Sequence, residues 1–165
     1  MFKTNTRNCA LMAALSTGLI FSSVFRTEIA NAASDTADAL ATVIAAIAIA
    51  QASDLDFGEG VQGDSTKVVA ASTSENSENA SFNISGEGSR AYTITLPGSA
   101  TMITAGGGTA DKEIVVNTFT SFPSGTGALS VGGTQLLLVG GTRAALASNQ
   151  MAGSYAGTFT VTVVY

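Results

Sequence analysis

The chain has 165 residues, a formal net charge of −5, no histidine or tryptophan, and a single cysteine, Cys9. With no second cysteine a disulfide framework is excluded, and with no histidine the commonest general acid–base is missing. The few basic residues form no stripe along the sequence, which excludes a phosphate-binding nucleic-acid partner.

The first element in chain order is a leader. Lys3 and Arg7 make a basic start, Ala10 to Phe25 is apolar and uncharged, and Ala30-Asn31-Ala32 supplies a small-x-small site. This pattern predicts a signal peptide over 1–32, cleaved after Ala32, and an exported protein in which Cys9 is an incidental residue of the leader. The apolar run falls short of the ~20 residues that a membrane span needs. Cleavage leaves one domain's worth of chain, 33–165, with Lys67, Arg90, Lys112 and Arg143 against eleven acids.

Residues 33–50 read as an N-terminal extension, followed by a domain over 51–165. Within 36–52 two periodicities compete. Leu40, Val43, Ile44 and Ile47 have helical spacing in an alanine-rich stretch, whereas Val43, Ala45, Ile47 and Ile49 alternate as a strand would. Beyond it the chain turns to short alternating runs. These are Leu55 to Phe57, Lys67 to Ala71, Ser81 to Ser85, Ala91 to Leu96, a short run at Ile103, Glu113 to Phe119, Gln135 to Val139 and Thr158 to Tyr165. Glycine pairs, Pro97-Gly98 and the polar loops Ser72 to Asn79 and Ser121 to Gly133 separate them. Period-2 alternation between turn signals at this density predicts an all-β sandwich or barrel.

Little in the sequence points to chemistry. Asp54, Asp56 and Glu59 have calcium-like spacing, but Leu55 and Phe57 alternate with the acids, so an outward polar strand face explains them. Gly86-Glu87-Gly88 and Gly106 to Gly108 lack the lysine of a phosphate loop. The expectation is no catalytic residue, no metal and no cofactor. Paired carboxylates are the one remaining route to a hydrolase.

Three segments carry a resemblance. The first is Asp54-Leu55-Asp56-Phe57-Gly58 after an apolar run. The second is Ile84-Ser85-Gly86-Glu87-Gly88 leading into Tyr92 to Pro97. The third is Val139-Gly140-Gly141-Thr142 followed by Gly153 to Tyr165. In order and spacing the chain resembles the bacterial family of unknown function numbered 4402, the Mat/Ecp-fimbria-major-subunit-like domain.

That resemblance implies an immunoglobulin-like antiparallel β-sandwich, exported and similar to chaperone–usher pilus subunits. The expected function is therefore a structural subunit of a fimbria, carried through the periplasm to the cell surface and joined to neighbouring copies by donated strands. The donor candidate is Thr42 to Ala50, with Val43, Ala45, Ile47 and Ile49 filling the groove; the competing reading makes this segment the first strand of its own domain. Phe159, Val161, Val163 and Tyr165 share one face, as either a closing core strand or the strand that a periplasmic chaperone pairs with before an outer-membrane usher. A monomeric surface or periplasmic binding module is the alternative function.

Overall fold

The computed structural model describes residues 33–165; the leader, its cleavage site and Cys9 lie outside the described residues. Residues 33–40 carry no helix or strand, and 41–165 form a compact unit of their own. Nine strands occur among the described residues. They are β1 (Ala48–Ser53), β2 (Lys67–Val69), β3 (Ala80–Ser85), β4 (Ala91–Thr95), β5 (Ser99–Ile103), β6 (Glu113–Phe122), β7 (Thr126–Ala128), β8 (Thr134–Arg143) and β9 (Thr162–Val164). A single 3₁₀ turn, Ala110–Lys112, leads into β6.

All ladders are antiparallel. One sheet has the order β1-β3-β8-β6-β5, and β2 joins it on β8; the other has the order β7-β4-β9. The fold is an immunoglobulin-like antiparallel sandwich in which one sheet is much the larger. Strand β8 organises it. Residues Thr134 to Val139 pair with β3, and Gly141 to Arg143 pair with β2. The opposite side of β8 carries β6.

The alternation in the sequence becomes the core. Ile84 of β3, Tyr92 and Ile94 of β4, and Leu137 and Val139 of β8 turn inward and form the main cluster with Val161 and Val163. Their burial is the chief stabilising term, at about 1.5–3 kcal/mol for each large apolar side chain. Phe57, Val69 and Val116 make a smaller second cluster, and Leu55 and Phe119 pack against both.

Several boundaries differ from the sequence reading. The competition within 36–52 ends in a strand from Ala48, since the edge of β3 is there to be paired. The sandwich therefore starts three residues before 51. Ser121 to Gly133 is not an open loop: β6 runs to Phe122, β7 occupies Thr126–Ala128, and Leu129 is buried in the core. Polar residues hid this, because one buried leucine sets no period. Ser72 to Asn79 is also organised, with Asn79 fully buried and its Nδ2 donating to Ser74 O at 3.0 Å. Leu55 to Phe57 alternates in burial without joining a ladder, and Thr158 to Tyr165 is paired only over Thr162–Val164.

Tyr92 gives a pH-dependent test of the core. Its ring is 2% exposed and its hydroxyl donates to Gln135 Oε1 at 2.7 Å. Burial pushes the phenol pKa up from its ordinary value. The folded state thus holds this proton to a higher pH than the unfolded chain does. The associated stability is complete below about pH 10 and is lost as pH rises through the folded value. Tyr92→Phe is expected to cost about 1 kcal/mol at neutral pH. Urea midpoints followed from pH 7 to 11 should fall more steeply for the native protein than for Tyr92→Phe.

Candidate functional site: an unpaired strand edge above an apolar trough

The smaller sheet leaves part of the larger one uncovered. Over β5 and β6 the covering chain is irregular, made of residues 54–57 and 155–159. Between these segments opens a trough of about 290 Å³, floored by Met102, Val116 and Phe119 and walled by Leu55, Phe57 and Phe159. Phe159 stacks on Phe119 at 5.1 Å between ring centroids and meets Phe82 edge-on at 6.2 Å. Such aromatic pairs contribute about 0.5–1.5 kcal/mol beyond their buried area.

The backbone beside the trough joins no ladder beyond a single bridge, although Gly157 still packs so closely on β5 that a Cβ there would lie 2.3 Å from Thr101 O. Ala156 bridges to Ile103 in both directions, at 2.9 and 3.1 Å. After it, residues 157–161 join no ladder among the described residues, although Phe159 and Val161 still point inward. The side chains follow a strand pattern while the backbone N–H and C=O groups have no strand partner. Unpaired edges of this kind are templates for another chain.

Two features build the trough walls. Between Asn117 and Thr120 the register of β6 against β8 shifts, and Thr118 there has φ +48°, a rare conformation for a β-branched residue. This bulge places Phe119 against both core clusters. Tyr155, which lines the trough, is held by Gln150 behind it: Gln150 is buried, its Nε2 lies 2.9 Å from Asp111 O and 3.0 Å from Tyr155 Oη, and Tyr155 Oη is 2.8 Å from Met151 O. These bonds pin residues 150–155 to the start of β6. The sequence signalled neither the bulge nor the pinning.

The residues singled out as a donor divide between two environments. Val43 is 94% exposed, and Ala45 is exposed with its N–H donating to Glu87 Oε2 at 3.0 Å. Ile47 and Ile49 are half-buried against the main core of their own domain, Ile49 standing opposite Ile84. At the C-terminal strand, Val161 and Val163 are buried and Phe159 is half-buried. Tyr165 is 42% exposed, and its hydroxyl accepts from Glu87 N at 2.5 Å. Glu87 therefore touches both ends of the folded unit, through its carboxylate at one and its backbone N–H at the other.

Charged groups add little chemistry here. Asp54 Oδ1 accepts from Gln51 Nε2 at 2.5 Å, and Asp56 Oδ1 accepts from Gly58 N at 2.7 Å. Among the described residues, no three histidine, cysteine or carboxylate side chains gather where a metal would sit. Lys67 and Glu78 form the one ion pair among the described residues, at 2.9 Å on the surface.

No curated protein and no solved structure matches the chain at a significant level. A family model covers the whole sandwich, from Ile47 just ahead of β1 to Tyr165. The chain belongs to the family described as domain of unknown function DUF4402, matched over residues 47–165.

Proposed function

We propose that this protein is an exported structural subunit of a fimbria-like assembly, in which copies join by donating residues 41–46 to the open edge of a neighbour. The observation that carries this reading is the stretch 157–161, inward-facing in its side chains and unpaired in its backbone, beside a trough with an apolar floor. A second feature complements it: residues 41–46 are uncharged and present Val43 to solvent.

With Ile47 and Ile49 held in their own domain, the donated part is short. Val43 contributes about 1.5–3 kcal/mol on burial, and each ladder hydrogen bond about 0.5–1.5 kcal/mol. Ordering the segment costs about 1–2 kcal/mol per residue. The joint is therefore weak, and association should be reversible and concentration-dependent.

Sedimentation at rising concentration tests this. The protein 33–165 is expected to self-associate, while a chain starting at Ile47 and the variant Val43→Asp stay monomeric. A synthetic 41–46 peptide should inhibit the association. If 33–165 stays monomeric at millimolar concentration, the assembly reading fails and the monomeric binding module replaces it.

A further inference from the structure

A second cavity, of about 710 Å³, lies between residues 55–62 and 146–155. Its lining is apolar at Leu55, Phe57, Ile114 and Leu146, and it includes Arg143. Arg143 is 7% exposed. Its Nη2 donates to Ser65 O at 3.2 Å, the one side-chain hydrogen bond this residue makes among the described residues, and its buried Nε has no partner. No carboxylate among the described residues lies within ion-pair distance of it. Burial strips much of the hydration from this cation, and Ser65 O is the one protein acceptor among the described residues that replaces any of it.

The backbone around Arg143 is rigid. It is the last residue of β8 and pairs with Lys67 on one side and Val116 on the other. Gly60 passes over it so closely that a Cβ there would lie 3.2 Å from Nη1. Nearby acids are engaged elsewhere: Asp64 Oδ2 accepts from Val61 N and Asp56 Oδ1 from Gly58 N, both at 2.7 Å. Glu59 and Asp56 line the cavity as well, and Arg143 is the one basic residue in its lining, so it is the group an anion would need to reach.

We infer that this cavity binds a carboxylate carried on an apolar chain, with the anion on Arg143 and the chain along Leu55, Phe57, Ile114 and Leu146. A planar carboxylate can accept two parallel N–H bonds from a guanidinium, which suits it to this group. The inference does not rest on the assembly reading, since it uses neither residues 41–46 nor the unpaired backbone of 157–161, although Leu55 and Phe57 line both the trough and this cavity. Two sources share this chemistry: a free fatty-type carboxylate, and the C-terminus of an apolar peptide.

The test is calorimetric titration of the purified 33–165 protein with octanoate, with octanol as control, and with a leucine-rich pentapeptide beside its C-terminal amide. Octanoate binding, or binding of the free-acid peptide, is expected and decides between the two sources. Arg143→Gln should weaken it at least tenfold, while Arg143→Lys retains part of it. Arg143→Met reports on a purely structural role: the ligand-free variant should melt no lower than the native protein, since an unpaired buried charge has been removed. Absence of binding by both acids overturns the inference. So does equal binding of octanol and octanoate, affinity unchanged in Arg143→Gln, or a large drop in the melting temperature of ligand-free Arg143→Met.

Discussion

A chain beginning at Ile47 is expected to unfold in urea within about 0.5 kcal/mol of one beginning at Ala33, whereas a chain beginning at Asp54 should lose roughly 2–4 kcal/mol. The first cut removes residues that bury little: Val43 is 94% exposed, Ala41, Thr42, Ala45 and Ala46 are exposed too, and Ile44 alone among 41–46 is half-buried. The second cut removes β1. It takes away the ladder from Ala48 to Ser53 on β3 and the packing of Ile47 and Ile49 on the main core. It also bares the edge of β3, so the shortened protein should aggregate on refolding. Equal losses for both cuts would show that residues 33–46 are part of the fold, leaving nothing free to donate. No loss for the deeper cut would mean that β1 is not held in its own domain. The same comparison separates folding from assembly, since a chain starting at Ile47 should be fully stable yet unable to self-associate.

Gly140→Ala is expected to be severely damaging, costing at least ~3 kcal/mol or abolishing folding. Gly140 lies on β8 between the residues that pair with β3 and those that pair with β2. A Cβ there would fall 2.2 Å from Val69 O and 2.5 Å from Ala71 N. Both are backbone atoms, so no side chain can swing aside, and relief would require moving β2 off the sheet. Gly98→Ala is the matched control. A Cβ at Gly98 meets nothing within 4 Å, so this substitution should change stability by no more than about 0.5 kcal/mol. Thermal melts of the two variants side by side give the answer, and a Gly140→Ala protein as stable as Gly98→Ala would place β2 elsewhere.

The open edge and the Arg143 cavity share one structural origin. Both lie where the three-stranded sheet fails to cover the larger sheet and irregular chain takes its place. Irregular cover needs fewer ladder bonds and leaves space beneath it, which is how a small sandwich comes to expose part of its core. Thr118 at φ +48° sits at this boundary. Replacing it with glycine, which adopts that conformation freely, would relieve the strain.

The sequence by itself determined the class of the fold and most of the core. Tyr92, Ile94, Ile84 and Val163 are buried where period-2 alternation put them, because alternate side chains of a strand face the same way whatever lies beside it. It also fixed the membership of the family, through segments that run almost the whole length of the sandwich. Tertiary structure alone decided the pairing. Alternation continues unbroken through Phe159, Val161 and Val163, yet only Thr162–Val164 has a neighbour, since a ladder requires a second segment at the right place. Residues 36–52 satisfied two periodicities until β3 offered an edge at Ala48. Nothing in the sequence set Arg143 apart from Lys67, Arg90 and Lys112. Its burial follows from Gly60 and Leu146 closing over the end of β8, a contact between segments about eighty residues apart that no local pattern contains.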